Sequence, residues 1–86
     1  MRIKHRWVIE GYDGTERIAY LELPRISNTE VAELLKRLAS RHLSVGEIVA
    51  SSLRRGMRGR ATLLDESSTP TTITVGQNPH YSATIR

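Results

Sequence analysis

The sequence predicts an α+β fold, a sheet with helices on one face, in the order ββααββ. Three observations predict it. Asp13-Gly14 separates two alternating segments near the N-terminus, a capped stretch with helical apolar spacing follows, and threonine-rich alternation appears near the C-terminus. With 86 residues, the chain is predicted to form one domain over 1–86. Its stability should be modest, because a chain this short buries roughly two-thirds or less of its unfolded surface.

The N-terminal element is predicted to be a β-hairpin with Asp13-Gly14 as its turn. This dipeptide is favoured in type I′ turns, which need positive φ at both central positions. The turn sets a register in which strands 3–10 and 16–23 pair. The opposed residues in this register are His5 and Glu22, Trp7 and Tyr20, Ile9 and Ile18, and Glu10 and Arg17. The second strand is apolar on both faces, which predicts an internal position in a larger sheet.

The segment 27–43 is predicted to be a helix. Ser27 and Glu30 form a capping box, in which each side chain accepts from a backbone amide at the start of the helix. Apolar residues then recur at helical spacing, which predicts one buried face. That face comprises Val31, Leu34, Leu35, Leu38 and Ala39.

A second helix is predicted after Ser44, which forms another capping-box pattern with Glu47 and is followed by a stop signal at Gly56. Its expected buried stripe is Ile48, Val49, Ser52 and Leu53. The alternative is a strand over 47–53, favoured by the β-branched residues. The helix is preferred because two start signals agree with one stop signal.

The C-terminal third is predicted to return to β structure. Residues 71–75 alternate as a strand does, "GQNP" has the composition of a turn, and "HYSATIR" is predicted to return as a strand. "DESSTP" is predicted to be a loop, and an alternative layout adds a further short strand at 60–64. The alternative is that 65–86 is loosely ordered towards its end, as chain termini often are.

Charge is distributed unevenly along the chain, whose formal net charge is +4. Residues 36–60 contain seven lysines and arginines against the single acid Glu47, so this segment carries +6 and the remainder is slightly acidic. There is no cysteine, which excludes disulfides, thiolate metal sites and cysteine nucleophiles. Charges interrupt every apolar run of the N-terminal segment, which predicts a cytoplasmic protein without a membrane partner.

The strongest candidate site is the stretch "SSLRRGMRGRATLL", in which arginines alternate with Gly56 and Gly59. Arginines bind phosphates, and glycines permit close approach of the backbone. The competing interpretation is a solvated helix end, where cations are stabilising without any ligand. Cations on the preceding helix favour binding if they share a face with the stretch. The predicted nucleic-acid-binding residues are Lys36, Arg37, Arg41, Arg54, Arg55, Arg58 and Arg60.

No pattern in the sequence indicates catalysis, a cofactor or a metal. The histidines, at positions 5, 42 and 80, lack ligand spacing, and there is no GxSxG elbow, phosphate loop or GxGxxG. We therefore expect a non-enzymatic protein with no cofactor and no metal site.

Residues 18–56, "IAYLELPRISNTEVAELLKRLASRHLSVGEIVASSLRRG", resemble a ribbon-helix-helix repressor domain. That family runs strand, helix, turn, helix, and its second helix often opens with a Ser-x-x-Glu segment like Ser44 to Glu47. The resemblance implies a dimer whose paired strands enter the DNA major groove. The strand departs from the family's pattern, because it offers Glu22 and many apolar residues in place of polar or basic ones.

The predicted function is that of a small basic binding module, which contacts nucleic acid or an acidic protein surface through residues 36–60. The alternatives are a homo-oligomeric protein-interaction or regulatory subunit whose arginines are merely solvated, and a ribbon-helix-helix-like DNA-binding regulator. A homodimer is predicted because aromatic residues are few and the second strand is apolar on both faces.

Overall fold

The computed structural model describes residues 6–77 and 79–86, which form an antiparallel sheet and two helices. In chain order the elements are β1 (Trp7–Asp13), β2 (Glu16–Leu23), α1 (Asn28–Ser40), α2 (Val45–Ser51), β3 (Glu66–Thr69), β4 (Thr72–Gly76) and β5 (His80–Ile85). The α+β class is confirmed. The observed order is ββααβββ, so the described chain has one more strand than the predicted layout.

The sheet has the strand order β2-β1-β5-β4-β3. β5 therefore lies at its centre, between β1 and β4, and α1 packs across β4 and β5. The core lies between α1 and the sheet. Its largest fully buried side chains are Trp7, Tyr81, Ile9, Leu35, Ile73, Val31 and Val75, and Val8 is buried on the opposite face of β1. Neither helix in the described part of the chain is long and apolar enough to span a membrane.

The hairpin exists, but its predicted register is wrong. Trp7 pairs with Leu23, and Tyr20 pairs with Glu10. The turn residues are Gly14 and Thr15, and of these only Gly14 has a positive φ, +63°. This fits a type II′ turn, whose first central residue is glycine, rather than the type I′ turn expected from Asp13-Gly14.

A β-bulge contributes the rest of the shift. The register changes between Gly11 and Tyr12, which leaves Ile18 as an extra residue of β2. The total displacement is three residues, and an odd displacement exchanges the two faces of a strand. Trp7 is consequently buried beside Leu23, whereas Tyr20 is 46% exposed on the opposite face. The pairing predicted for His5 lies outside the described residues.

The position predicted for the second strand is also wrong, because β2 is an edge strand of the sheet. β1, its partner in the hairpin, is internal. The apolar residues on both faces of β2 are consequently only partly covered: Ala19, Leu21 and Leu23 are half-buried, and Ile18 is 41% exposed.

α1 confirms the predicted helix and its capping box. The Ser27 hydroxyl accepts from the Glu30 amide at 3.1 Å, and the Glu30 carboxylate accepts from the Ser27 amide at 3.2 Å. Val31, Ala32, Leu35 and Ala39 are buried, whereas Leu34 and Leu38 are half-buried. The buried face is therefore rotated slightly from the predicted one.

α2 is a helix, so the alternative of a strand over 47–53 is wrong, but the helix is shorter than expected. It ends at Ser51, well before Gly56, because the Ala50 carbonyl accepts from the Ala61 amide at 3.1 Å. Half of the predicted buried stripe is wrong, because Val49 (58% exposed) and Ser52 are exposed. Ile48 and Leu53 are half-buried, and the buried residue is Ser51.

The strands 72–76 and 80–85 confirm the two strands predicted there, while the turn predicted between them includes Asn78, which lies outside the described residues. The short strand predicted at 60–64 is absent from the described residues, and the loop predicted at 65–70 contains β3. β3 pairs Ser67 with Thr74 and Thr69 with Thr72. All four of its residues are exposed, so it has no apolar alternation by which the sequence could indicate it.

Candidate phosphate-binding groove

Residues 53–65, here called the arginine loop, begin with two consecutive β-turns. The Met57 amide donates to the Arg54 carbonyl at 3.1 Å, and the Arg60 amide donates to the Met57 carbonyl at 3.3 Å. Gly56 (φ +85°) and Gly59 (φ +84°) hold the third position of each turn, as a type II turn requires. Arg55 and Arg58 therefore hold equivalent second positions, and both are exposed.

Arg60 ties the arginine loop together. Its Nε donates to the Leu53 carbonyl at 3.0 Å, its Nη1 donates to Asp65 Oδ2 at 3.2 Å, and its Nη2 pairs with Asp65 Oδ1. The bond to Leu53 closes the chain across the two turns, and the bidentate pair with Asp65 joins them to the end of the loop. The Arg60 guanidinium is therefore already engaged within the chain.

The same contact governs the charge of Asp65. Its hydrogen bonds from Arg60 hold the pKa of the Asp65 carboxyl below its ordinary value, and Arg55 and Lys36 shift it further in the same direction. The hydrogen bonding to Asp65 in turn raises the pKa of Arg60. Asp65 is thus a stable anion inside a cationic region.

A groove of about 490 Å³ lies between α1, α2 and the arginine loop. α1 contributes Lys36 and Arg37 to its wall, and the first of the two turns contributes Arg55. The other lining residues are Glu33, Ser40, Ile48, Ser51, Ser52, Arg60, Leu64, Asp65 and Glu66. We call this feature the groove.

Two of the four cations that line the groove form ion pairs, and the other two do not within the described residues. Lys36 Nζ lies 3.3 Å from Glu66 Oε1, and Arg60 pairs with Asp65. Within residues 6–77 and 79–86, Arg37 and Arg55 form no ion pair. Both are exposed, and they approach the groove from different elements. Glu33 is the third carboxylate of the lining, so the groove carries a small positive excess.

The structure thus divides the seven predicted site residues. Four of them line the groove, namely Lys36, Arg37, Arg55 and Arg60. Arg41 caps the C-terminus of α1, while Arg54 and Arg58 are exposed on the arginine loop; none of these three lines the groove.

Sequence reasoning missed the carboxylates at 65 and 66. They lie just beyond the basic segment 36–60, and two acids so close to it were a signal that some of its cations are paired within the chain.

The groove also contains Ser51, the last residue of α2. It is 8% exposed, and its hydroxyl has no hydrogen-bond partner among the described residues. The neighbouring Ser40 and Ser52 hydroxyls instead donate to carbonyls one turn earlier, at 2.6 Å and 2.7 Å. Ser51 is therefore a buried donor that is not satisfied within this part of the chain.

The two described histidines are engaged elsewhere. His42 Nε2 lies 2.7 Å from the Tyr81 hydroxyl, and His80 stacks on Tyr12 with ring centroids 5.7 Å apart. No group of three or more His, Asp or Glu side chains suited to holding a metal ion occurs within the described ranges.

Comparison with known proteins identifies no relative of this chain. The chain matches no family model, no curated protein and no solved structure.

Proposed function

We propose that the protein is a non-enzymatic binding module that contacts the phosphates of nucleic acid through the groove and the exposed face of the arginine loop. The observation that carries the proposal is the position of Arg37 and Arg55. They belong to different elements, lack a carboxylate partner within the described chain, and line one groove.

The seven predicted residues take two roles in this proposal. Arg37, Arg54, Arg55 and Arg58 are exposed in the groove or on the arginine loop and contact phosphates, and Arg41, exposed at the C-terminal end of α1, extends this surface. Lys36 and Arg60 are held by Glu66 and Asp65, so they shape the groove and orient its walls. The glycines of the two turns suit this role, because a Cβ at Gly56 or Gly59 would have no neighbour within 4 Å. A phosphate backbone can therefore approach the loop closely.

A non-enzymatic role agrees with the charge state of the groove. Arg60 lowers the pKa of Asp65, and a carboxylate stabilised as an anion in this way is a poor general base near neutral pH. Binding through arginines requires no proton transfer.

Salt-dependent binding tests the proposal. Wild-type protein should bind a fluorescein-labelled duplex saturably at low salt, with log affinity falling linearly as log salt concentration rises. The double variant Arg37→Ala/Arg55→Ala should bind more weakly, whatever the base sequence. Its salt slope should fall by about 0.9 for each phosphate that the variant no longer neutralises.

The matched control is Arg25→Ala/Arg86→Ala, which removes the same charge. Arg86 pairs with Glu10, and Arg25 lies over the Trp7 ring; neither lines the groove. This variant should keep the wild-type salt slope. Absence of saturable binding, or equal loss of slope in both variants, would refute the proposed function.

A second candidate function is docking to an acidic protein surface, favoured by apolar residues on the same part of the molecule. Val45 on α2 is 79% exposed, Val49 is 58% exposed, and Met57 on the arginine loop is 43% exposed. Phosphate contacts do not use such side chains, whereas protein interfaces do. The variant Val45→Ser/Val49→Ser should leave nucleic-acid binding intact. It should weaken binding to an acidic protein, if such a protein is the partner.

A further inference from the structure

The hydrogen bonding of the sheet fixes which backbone groups β2 presents at its open edge. Arg6 and Arg86 exchange both of their backbone hydrogen bonds, at 3.0 Å and 2.9 Å. In an antiparallel ladder such pairs alternate along the strand. The even-numbered residues of β1 therefore bond to β5, and the odd-numbered ones, such as Ile9, bond to β2.

The same alternation continues into β2. Its residues opposite Trp7, Ile9 and Gly11 are Leu23, Leu21 and Ala19. These bond inward, so the amides and carbonyls of Tyr20 and Glu22 point away from the sheet. β2 has no neighbour on that side within the described chain.

The side chains of this edge are apolar on the helix side of the sheet, whereas Tyr20 alternates on the other side with Glu22, which pairs with Arg6 at 2.6 Å. Ala19, Leu21 and Leu23 pack against the border of the core and are half-buried. Ile18 and Tyr20 are 41% and 46% exposed. A long apolar edge with free backbone groups is a template for pairing with another strand.

We infer that β2 pairs antiparallel with β2 of a second copy of this chain, forming a continuous ten-stranded sheet across a two-fold axis at Leu21. In this register Tyr20 of each copy lies opposite Glu22 of the other, and each such pair exchanges both backbone hydrogen bonds. On the helix side of the sheet, Leu21 of one copy lies opposite Leu21 of the other, and Ala19 of each copy lies opposite Leu23 of the other.

Charge selects this register over its neighbours. Arg17 lies 4.9 Å from the centroid of the Tyr20 ring, so the pairing brings Arg17 of one copy beside Glu22 of the other. A register with Glu22 opposite itself would bring two carboxylates together, which is destabilising. A register with Tyr20 opposite itself would place the charged Glu22 of one copy opposite the apolar Ile18 of the other.

The second copy also covers the open edge of β2. In the dimer this strand has partners on both sides, so its outward amides and carbonyls are no longer unpaired. The interface is isologous and closes on itself, so the association stops at two chains.

Disulfide trapping tests both the partner and the register, because the chain contains no cysteine. Residues directly opposed in a pair without hydrogen bonds lie about 4.5 Å apart at Cα, within disulfide reach. Leu21→Cys should therefore form a covalent dimer under mild oxidation. Ala19→Cys is the matched control, since it lies on the same face but opposite position 23, and it should stay monomeric in a non-reducing gel. Mixing Ala19→Cys with Leu23→Cys should restore the cross-link.

Sedimentation equilibrium of the cysteine-free protein should give twice the monomer mass at high micromolar concentration. Tyr20→Pro removes an outward amide and leaves the hydrogen bonds between β2 and β1 in place, so it should give a folded monomer. Tyr20→Thr is its control, because it keeps that amide and should still dimerise. A wild-type monomer at every concentration would overturn the inference, as would cross-linking of Ala19→Cys equal to that of Leu21→Cys. Because these measurements use no nucleic acid, their failure leaves the proposed function standing.

Discussion

Ser27 and Ser44 begin their helices with the same reciprocal pair of hydrogen bonds, yet the two helices have different surroundings. α1 buries four residues against the sheet, whereas α2 buries only Ser51 and packs closely on no strand of the described chain. The comparison separates two sources of stability. Capping determines where a helix begins, and burial of an apolar face determines how much the helix contributes to the free energy of unfolding.

The largest expected difference between the region of α1 and the region of α2 with its following loop is in the free energy of unfolding that is lost when a leucine is truncated. Leu35→Ala empties a fully buried position on α1 and should lower the free energy of unfolding by about 3 kcal/mol. Leu53 is half-buried at the start of the arginine loop, so Leu53→Ala should cost under about 1 kcal/mol. Urea unfolding followed by circular dichroism measures both. Equal costs would mean that the arginine loop is as tightly packed as the sheet.

A pair of glycine substitutions should have effects of opposite sign. A Cβ at Gly11 would lie 2.4 Å from Cε2 of the buried Tyr81 ring, so Gly11→Ala should cost about 2 kcal/mol through overpacking. Gly46 lies in α2, where an added Cβ would have no neighbour within 4 Å, so Gly46→Ala should stabilise α2 by about 0.5 kcal/mol. Thermal melting separates the two. A rise in melting temperature for Gly11→Ala would show that the Tyr81 ring can move aside.

The two caps offer the most direct comparison. Ser27→Ala should lower the global free energy of unfolding by about 1 kcal/mol, because unfolding α1 exposes the core. Ser44→Ala should instead increase amide exchange within α2 and change global unfolding little, because α2 can open by itself. Hydrogen exchange resolved by residue distinguishes them. Equal global costs would show that α2 and α1 unfold as one unit.

The smallest expected effect is a pH response confined to the arginine loop. Arg60 lowers the pKa of Asp65 from its ordinary value of 3.8, so the ionised carboxylate favours the folded loop above that pH. This contribution should be lost as pH falls through the lowered pKa, when Asp65 becomes protonated. Chemical shifts of the Gly56 and Gly59 amides should report the change below about pH 3.8. Asp65→Asn should abolish that titration while the sheet amides stay unaffected.

Local sequence signals predicted the elements better than their arrangement. The Ser-x-x-Glu patterns at 27 and 44 predicted both helix starts correctly, because a capping box is formed by residues three apart. The hairpin register failed because moving the turn by one residue displaces the pairing by two, and the bulge adds a third. This odd displacement exchanges the faces of the strand. β3 was missed because its pairing with β4, rather than any pattern of its own, makes it a strand.

The candidate site was predicted in composition but not in geometry. The sequence shows which segment is basic, and it cannot show that Asp65 and Glu66 turn back onto Arg60 and Lys36. Those contacts join residues brought together by the course of the arginine loop and by β3. Which arginines remain free is therefore a property of the tertiary structure.

The central position of β5 also has a consequence for the order of folding. β1 pairs with β5 from Trp7 opposite Ile85 to Tyr12 opposite His80, so the middle of the sheet joins the two ends of the described chain. During synthesis, β1–β2 and β3–β4 can each form as a hairpin, but they remain separate until residues 80–85 emerge. Such non-local pairing slows folding, because the loop must close before its contacts form. Removing these six residues should leave two hairpins without a shared sheet.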